Sequence, residues 1–271
     1  MVRRSVSVLD LQTVRCRIVD GIGWMTLNRP AQLNAWVRQL GDDMLEGLHG
    51  FIDDRAVRAV VITGAGRAFS SGADLKDTDS FRPDGSVDVL TPLRESYNPV
   101  LLTVRTMPKP VIAAVNGPAA GIGCSLALAC DLVVASQSAY FLLAFVNLGL
   151  GLDGGASQSL IERVGQARAF EMAFLGERVR SGRALEWGLV NQVVADEELE
   201  SAVGELAQRL AAGPPGAYAT IKRTINARAY AGFAELLDLE AELQQQRTQT
   251  KDFREAVAAF AQKRDPKFTG E

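Results

Sequence analysis

The sequence predicts an α/β protein whose short buried strands alternate with helices and whose last quarter is entirely helical. Three observations carry this. Apolar β-rich runs alternate with helical periodicities up to Val194, glycine clusters follow two of those runs, and beyond Val194 glutamate and alanine dominate with helical spacing. The chain divides accordingly into a core, 1–195, and a helical C-terminal subdomain, 196–271.

Taken in order, Val14 to Val19 and Trp24 to Leu27 flank Gly21 and Gly23 and read as a hairpin that uses the positive-φ freedom of glycine. Trp36, Leu40, Met44, Leu48 and Phe51 recur at helical spacing. Ala59 to Thr63 (AVVIT) is a buried strand, followed by the glycine-containing segment Gly64 to Lys76. Val111 to Val115 (VIAAV) is a second, followed by NGPAAGIG and a small-residue helix, Cys124 to Cys130. Leu132 to Ala135 adds a strand. Helices are expected over Glu197 to Ala212, Ala217 to Tyr230 and Phe233 to Asp252, punctuated by Gly213-Pro214-Pro215. Asp252 and Glu255 resemble a capping pair for a last helix, Phe253 to Gln262. No internal repeat or low-complexity tract is evident.

Composition narrows the function. With 47% hydrophobic residues in 271, one large core is expected, and a net charge of −3 without a basic run gives no attraction to nucleic acid or an anionic membrane. A small molecule is the expected partner. The cysteines, Cys16, Cys124 and Cys130, are odd in number and lie in apolar surroundings, which suits a reduced compartment better than a disulfide framework. The single His49 and the lack of CxxC spacing predict no metal site. No stretch suits a secretory signal or a membrane span, so a soluble cytoplasmic protein is expected.

Two glycine turns are the first candidates for chemistry. Gly72 can turn the chain so that the Ala73 N–H points into a cleft, and Gly117 to Gly123 precede a helix whose N-terminus favours a developing negative charge. Either cluster alone has a plain alternative, a strand-to-loop turn or close helix packing. Neither a GxGxxG dinucleotide fingerprint nor a P-loop is present. Two such turns, each after a buried strand, suit a carbonyl oxygen that becomes an enolate oxygen.

In this order the motifs RPAQLNA (29–35), AFSSGADLK (68–76), PKPVIAAVNGPAAGIGCSLALACDLVVAS (108–136), EWGLVNQVV (186–194) and the C-terminal AVAAFAQKRDPKF resemble the crotonase, or enoyl-CoA hydratase/isomerase, superfamily over nearly the whole length. The resemblance implies a spiral of ββα units with a C-terminal helical region that mediates trimers, often paired into hexamers. It implies an acyl-CoA substrate, with coenzyme A part of that substrate and no separate cofactor. By resemblance the oxyanion-hole amides fall on Ala73 and Ile122. Substrate contacts fall on Gln32, Asn34, Ala68, Asp74, Leu75, Lys76, Gly121 and Phe145, and Phe260 and Lys263 reach the CoA of a neighbouring subunit.

The hydratases of that family move water and a proton with two glutamates, and here those positions hold Ser125 and Phe145. Phenylalanine cannot transfer a proton. Asp153, in LGLGLDGGAS, matches the catalytic aspartate of the family's dienoyl-CoA isomerases, 1,2-epoxyphenylacetyl-CoA isomerase and 4-chlorobenzoyl-CoA dehalogenase; the dehalogenase also needs a histidine where this chain has Asn98. Its simpler alternative is an N-cap for a helix from Gly154 to Val164. Flanking Phe145, Leu150 and Leu152 should raise its pKa by desolvation. The expected activity is an enoyl-CoA or epoxide-type isomerase of fatty-acid or aromatic-acid catabolism with Asp153 as single acid/base; a variant hydratase and a non-catalytic acyl-CoA binder are the alternatives. Ser125 is expected to pack, Asp131 to cap or pair at a strand start, His49 to be exposed, and Phe81 to Tyr97 with Phe141 to Phe145 to wall the acyl pocket.

Overall fold

The computed structural model describes residues 7–75 and 86–271. Its centre is a seven-stranded sheet that begins antiparallel and becomes parallel. β1 (Ser7–Asp10), β2 (Val14–Val19) and β3 (Ile22–Leu27) form a meander. The β2–β3 turn places Asp20 and Gly21 at positive φ, 50° and 82°, the backbone a two-residue hairpin requires. Gly23 lies inside β3 rather than in the turn. A Cβ there would sit 2.9 Å from the Phe51 ring, so its bareness admits the helix that follows.

That helix, α1, spans Arg38–Asp53 and buries Leu40, Met44, Leu48 and Phe51. Trp36 precedes it; its backbone bridges to Ala73 and its ring packs edge-on against Tyr97 at 5.0 Å. β4 (Ala59–Gly64) then pairs parallel with β3. After residue 85 a helical run of α2 (Leu90–Pro92), a π-turn (Leu93–Tyr97) and α3 (Asn98–Thr106) leads into β5 (Val111–Val115). β6 (Ala119–Ala120) and α4 (Ile122–Ala129) follow, then β7 (Leu132–Ser136), β8 (Tyr140–Leu142), α5 (Ala156–Leu175), β9 (Val179–Arg180), α6 (Ser181–Glu186) and β10 (Gln192–Val194). The large sheet has the order β1-β2-β3-β4-β5-β7-β10, with every pair from β3 onward parallel, and β6-β8-β9 form a small second sheet.

Alternation along the parallel strands explains the layering. Val60 and Ile62 join the main core beside α1, α3 and α4, whereas Ala59 and Val61 face the opposite side with Ile112, Ala114 and Val134. That second side is covered by Leu199, Val203, Ala207 and Ala211 of α7 (Leu199–Ala212). α8 (Pro215–Ala229) sends buried Lys222 to the Val104 and Lys109 carbonyls and to Asp131, which also pairs with Arg105. Asp131 thus pairs at the start of β7 and accepts the Val111 N–H of the neighbouring strand. Burial lowers the Lys222 pKa against the pull of Asp131.

The last two helices depart from the expected bounds. α9 ends at Arg247 (Phe233–Arg247), not at Asp252, and α10 runs from Lys251 to Gln262. Its N-cap is Thr250, whose hydroxyl accepts the Phe253 N–H at 3.1 Å. Asp252 instead accepts from Thr269 and Gly270 of the tail, and Glu255 pairs with Arg264, so neither makes the expected cap. No helix among the described residues is long and apolar enough to cross a membrane.

Candidate active site

The two glycine turns lie back to back. Bridges Trp36–Ala73 and Ser70–Ala119 lace three loops into one ridge. Gly72, at φ 93°, has so little space that a Cβ would meet the Ala120 carbonyl oxygen at 3.0 Å and the Gly121 Cα at 3.6 Å. Gly121, at φ 50° and ψ −130°, occupies backbone space that side chains rarely adopt. The next residue on each turn is Ala73 and Ile122. Among the described residues neither of their N–H groups donates to a backbone or side-chain acceptor, whereas Gly121 N–H is consumed by Leu142 O at 2.9 Å. Ile122 opens α4, so its amide is one of the helix's unsatisfied donors. The edge of the Phe145 ring would lie 3.9 Å from a Cβ on Gly121, which places this buried ring over the turn.

Beneath the ridge, Asn34 is fully buried. Its carbonyl oxygen accepts the Arg29 N–H, and its amide donates to Ala65 O at 2.9 Å and Ala68 O at 2.8 Å. Asn34 therefore acts as internal scaffolding for the 64–73 turn, and its side chain, like fully buried Ala68, offers no surface to a ligand. Gln32, Ala73 and Leu75 are exposed on the same ridge. Asp74 pairs with Arg29 at 3.1 Å, and Arg29 also donates to the Ala35 carbonyl. Lys76 lies outside the described residues, as do Phe81 and the four residues after it. Phe260 and Lys263 stand at the C-terminal end of α10, with Phe260 65% exposed.

Asp153 is tied to this ridge through α4. The Ser125 hydroxyl donates to Asp153 O at 2.9 Å, and a Cβ on Gly154 would lie 2.5 Å from Ile122 Cδ1. Fully buried Ser125 is thus a main-chain anchor as well as a packing residue. The carboxylate of Asp153 does not cap α5. That helix begins at Ala156 with Gly155 as N-cap at φ 73° and no side-chain cap bond from that residue. Gln244 Nε2 donates to Asp153 Oδ2 at 3.1 Å, and Oδ1 is sealed from water without a hydrogen-bond partner.

The capping role that was the alternative for Asp153 is taken by Glu240. Its Oε2 accepts Gly155 N–H at 2.6 Å, and its Oε1 accepts Ser157 N–H at 3.2 Å and the Ser157 hydroxyl at 2.6 Å. Burial pushes the Asp153 carboxyl up to about 7, the nearby Glu240 charge adds to the rise, and the Gln244 bond opposes it. Burial also raises Glu240, against its three hydrogen bonds. Glu240 and Gln244 are absent from the sequence-derived candidates. Their signal was their helical spacing: with Phe233, Leu237 and Ala241 they share the buried stripe of α9, where polar residues need a reason.

Asn98, at the position where a histidine was needed for dehalogenation, donates to Leu237 O at 3.0 Å. An apolar cavity of about 290 Å³ is bordered by Phe145, Leu150, Leu152, Leu160, Phe170 and Phe174. Among the described residues of the segments expected to wall an acyl pocket, only Phe145 borders it, and Asp153, Ala73 and Ile122 do not. The three cysteines are buried, with thiols raised to about 12 chiefly by burial, so none is a reactive nucleophile. Among the described residues no group of three His, Cys, Asp or Glu could hold a metal ion.

The geometry offers the Ile122 amide at a helix start and the Ala73 amide on the adjoining turn, neither with an acceptor among the described residues, and one carboxyl that burial raises to about 7. Residues 17–271 match the profile of the family described as enoyl-CoA hydratase/isomerase. A probable enoyl-CoA hydratase of Rhodobacter capsulatus is 40% identical over 262 residues, 97% of this chain and 100% of that protein. The 1,2-epoxyphenylacetyl-CoA isomerase of Escherichia coli K12 is 38% identical over 260 residues, 96% of this chain and 99% of that one. The crystal structure of an enoyl-CoA hydratase from Mycobacterium avium subsp. paratuberculosis superposes with a TM-score of 0.86 at 37% identity, covering 96% and 100% of the two chains.

Proposed function

The chain belongs to the enoyl-CoA hydratase/isomerase family, and within it we propose that this protein is an enoyl-CoA isomerase that uses Asp153 as its single acid/base. The observation that carries this reading is the contrast between two buried carboxylates. Glu240 is engaged by three donors, whereas Asp153 keeps one oxygen without any. Ser125 and Phe145 supply no second proton-transfer group beside it.

In the proposed reaction a 3-enoyl-CoA places its thioester oxygen between the Ala73 and Ile122 amides. Asp153 Oδ1 takes a proton from C2, and the electron pair of that C–H bond moves through the carbonyl to give a dienolate with its charge on the thioester oxygen. The protonated Asp153 then returns the proton to C4 as the dienolate collapses, leaving a 2,3 double bond. Each amide contributes about 3 kcal/mol to the transition state. A carboxyl raised to about 7 is closer in basicity to the carbon acid than an ordinary aspartate and still ionises at neutral pH. An epoxide-bearing acyl-CoA is the related substrate class, drawn from the likeness to the Escherichia coli isomerase, and fatty-acid or aromatic-acid catabolism is the proposed setting. Self-association as a trimer or hexamer belongs to the same proposal.

The test incubates the protein with 3-enoyl-CoA and with 2-enoyl-CoA separately in deuterated water. Double-bond migration with deuterium at C2 and C4, abolished by Asp153→Asn, is the expected result. Formation of 3-hydroxyacyl-CoA as the main product would replace isomerase with hydratase. Binding without exchange would leave only an acyl-CoA carrier.

A further inference from the structure

Two side chains of α9, one helical turn apart, hold the Asp153 loop at several points. Gln244 Oε1 accepts Gly151 N–H at 3.1 Å while its Nε2 donates to Asp153 Oδ2 at 3.1 Å. Glu240 takes Gly155 N–H and both donors of Ser157. Residues 151, 153, 155 and 157 are therefore all held by one face of a helix more than 80 residues away in sequence. Gln244 is 2% exposed and Glu240 5%, so both interactions are shielded from water.

We propose that Glu240 and Gln244 are positioning residues for Asp153: Gln244 immobilises Oδ2 so that Oδ1 alone meets the substrate, and Glu240 supplies the fixed negative charge against which Asp153 exchanges its proton. This rests on the reading of Asp153 as the acid/base. An amide suits position 244 because it satisfies one donor and one acceptor at once. A carboxylate there would repel Asp153, and an aliphatic side chain would strand Gly151 N–H and Oδ2. Burial raises the Glu240 carboxyl, and the N–H groups of Gly155 and Ser157 with the Ser157 hydroxyl oppose that rise at the start of α5, where the helix dipole favours an anion.

Among the described residues Glu240 is the charged group whose field acts on Asp153. α4 presents Ile122 and Ser125, the preceding loop Phe145, Leu150 and Leu152, and the first turn of α5 runs from Ala156 to Ser159. The effect of Glu240 is upward and that of Gln244 downward. The two residues act in opposition on one carboxyl.

The test titrates the Asp153 carboxyl directly, by NMR of the full-length protein made with carboxyl-13C aspartate and assigned through Asp153→Asn. Glu240→Gln is expected to lower the midpoint by about one pH unit, and Gln244→Leu to raise it by a similar amount. In steady-state isomerisation, Gln244→Leu should lose about tenfold or more in kcat with KM within about twofold, and the acidic limb of its kcat–pH profile should move with the NMR midpoint. Midpoints unchanged in both variants would overturn the proposal. So would a loss confined to KM. Should Glu240→Gln fail to fold, the Gln244→Leu titration decides alone. The titration needs no substrate, so a wild-type protein that exchanges no deuterium into any enoyl-CoA would sink the isomerase reading while leaving the titration to judge the clamp.

Discussion

A carboxyl raised to about 7 makes the fold pay for its own base, and Asp153→Asn should reveal the amount. The side chain keeps its shape, and Gln244 can still donate to its oxygen, so the substitution removes little besides the charge. An unfolded aspartate ionises with an ordinary value of 3.8, the folded one near 7. The folded state therefore binds the proton more tightly, and its stability is fully present below 3.8 and is lost as pH rises through about 7. At about 1.4 kcal/mol per pH unit, this interval corresponds to about 4 kcal/mol in full. By about pH 5 the unfolded aspartate is already mostly ionised, so about 3 kcal/mol of the loss remains between about pH 5 and about pH 9. Urea denaturation at those two pH values, at one protomer concentration, measures it. The wild type should lose about 3 kcal/mol more than the Asn variant, and at high pH the inactive variant should be the more stable protein. Glu240 is also raised by burial and is present in both proteins, so the difference in slopes reports Asp153 together with its interaction with Glu240. Equal slopes, or an Asn variant less stable at high pH, would refute the desolvation argument.

Three other outcomes follow from the same geometry. Gly121→Ala meets no atom closer than 3.6 Å, so its effect is backbone strain at φ 50°: about 1 to 3 kcal/mol of stability and a misaligned Ile122 amide, read as about a hundredfold loss of kcat with a folded spectrum. Asn34→Ala strands Ala65 O and Arg29 N–H, leaves Ala68 O only the long Asn116 bond, and should cost about 3 kcal/mol in denaturant melts, while acyl-CoA binding weakens only through the loosened 64–73 turn. Lys222→Met removes the ammonium that serves two carbonyls and Asp131, and should cost about 3 kcal/mol by urea titration, although the residue lies far from the proposed chemistry in sequence and in role.

The strands were legible because a buried parallel strand is a short apolar run and little else resembles one; AVVIT and VIAAV are found where expected. The β2–β3 hairpin was legible through Gly21, but Gly23 was assigned to the turn because sequence cannot distinguish a glycine that turns from one that admits a neighbouring ring. The end of α9 was missed for a related reason. Gln249 and Thr250 interrupt no periodicity strongly, and the break is made by a threonine cap that satisfies Phe253 N–H.

At the site, what is carried by neighbours in sequence was readable and what is carried across the fold was not. The desolvation of Asp153 followed from Phe145, Leu150 and Leu152, which flank it in the chain. The alternative reading of Asp153 as a helix cap failed because that role was already filled from a distance: a carboxylate on α9 takes the amides at the start of α5, and the aspartate is left with an oxygen that nothing in the described residues engages. Local reasoning assigns the nearest acid to the nearest helix start. The fold relieves Asp153 of that duty by bringing in Glu240 from 87 residues away, and it is this substitution of one acid for another that leaves a carboxyl oxygen for the proposed chemistry.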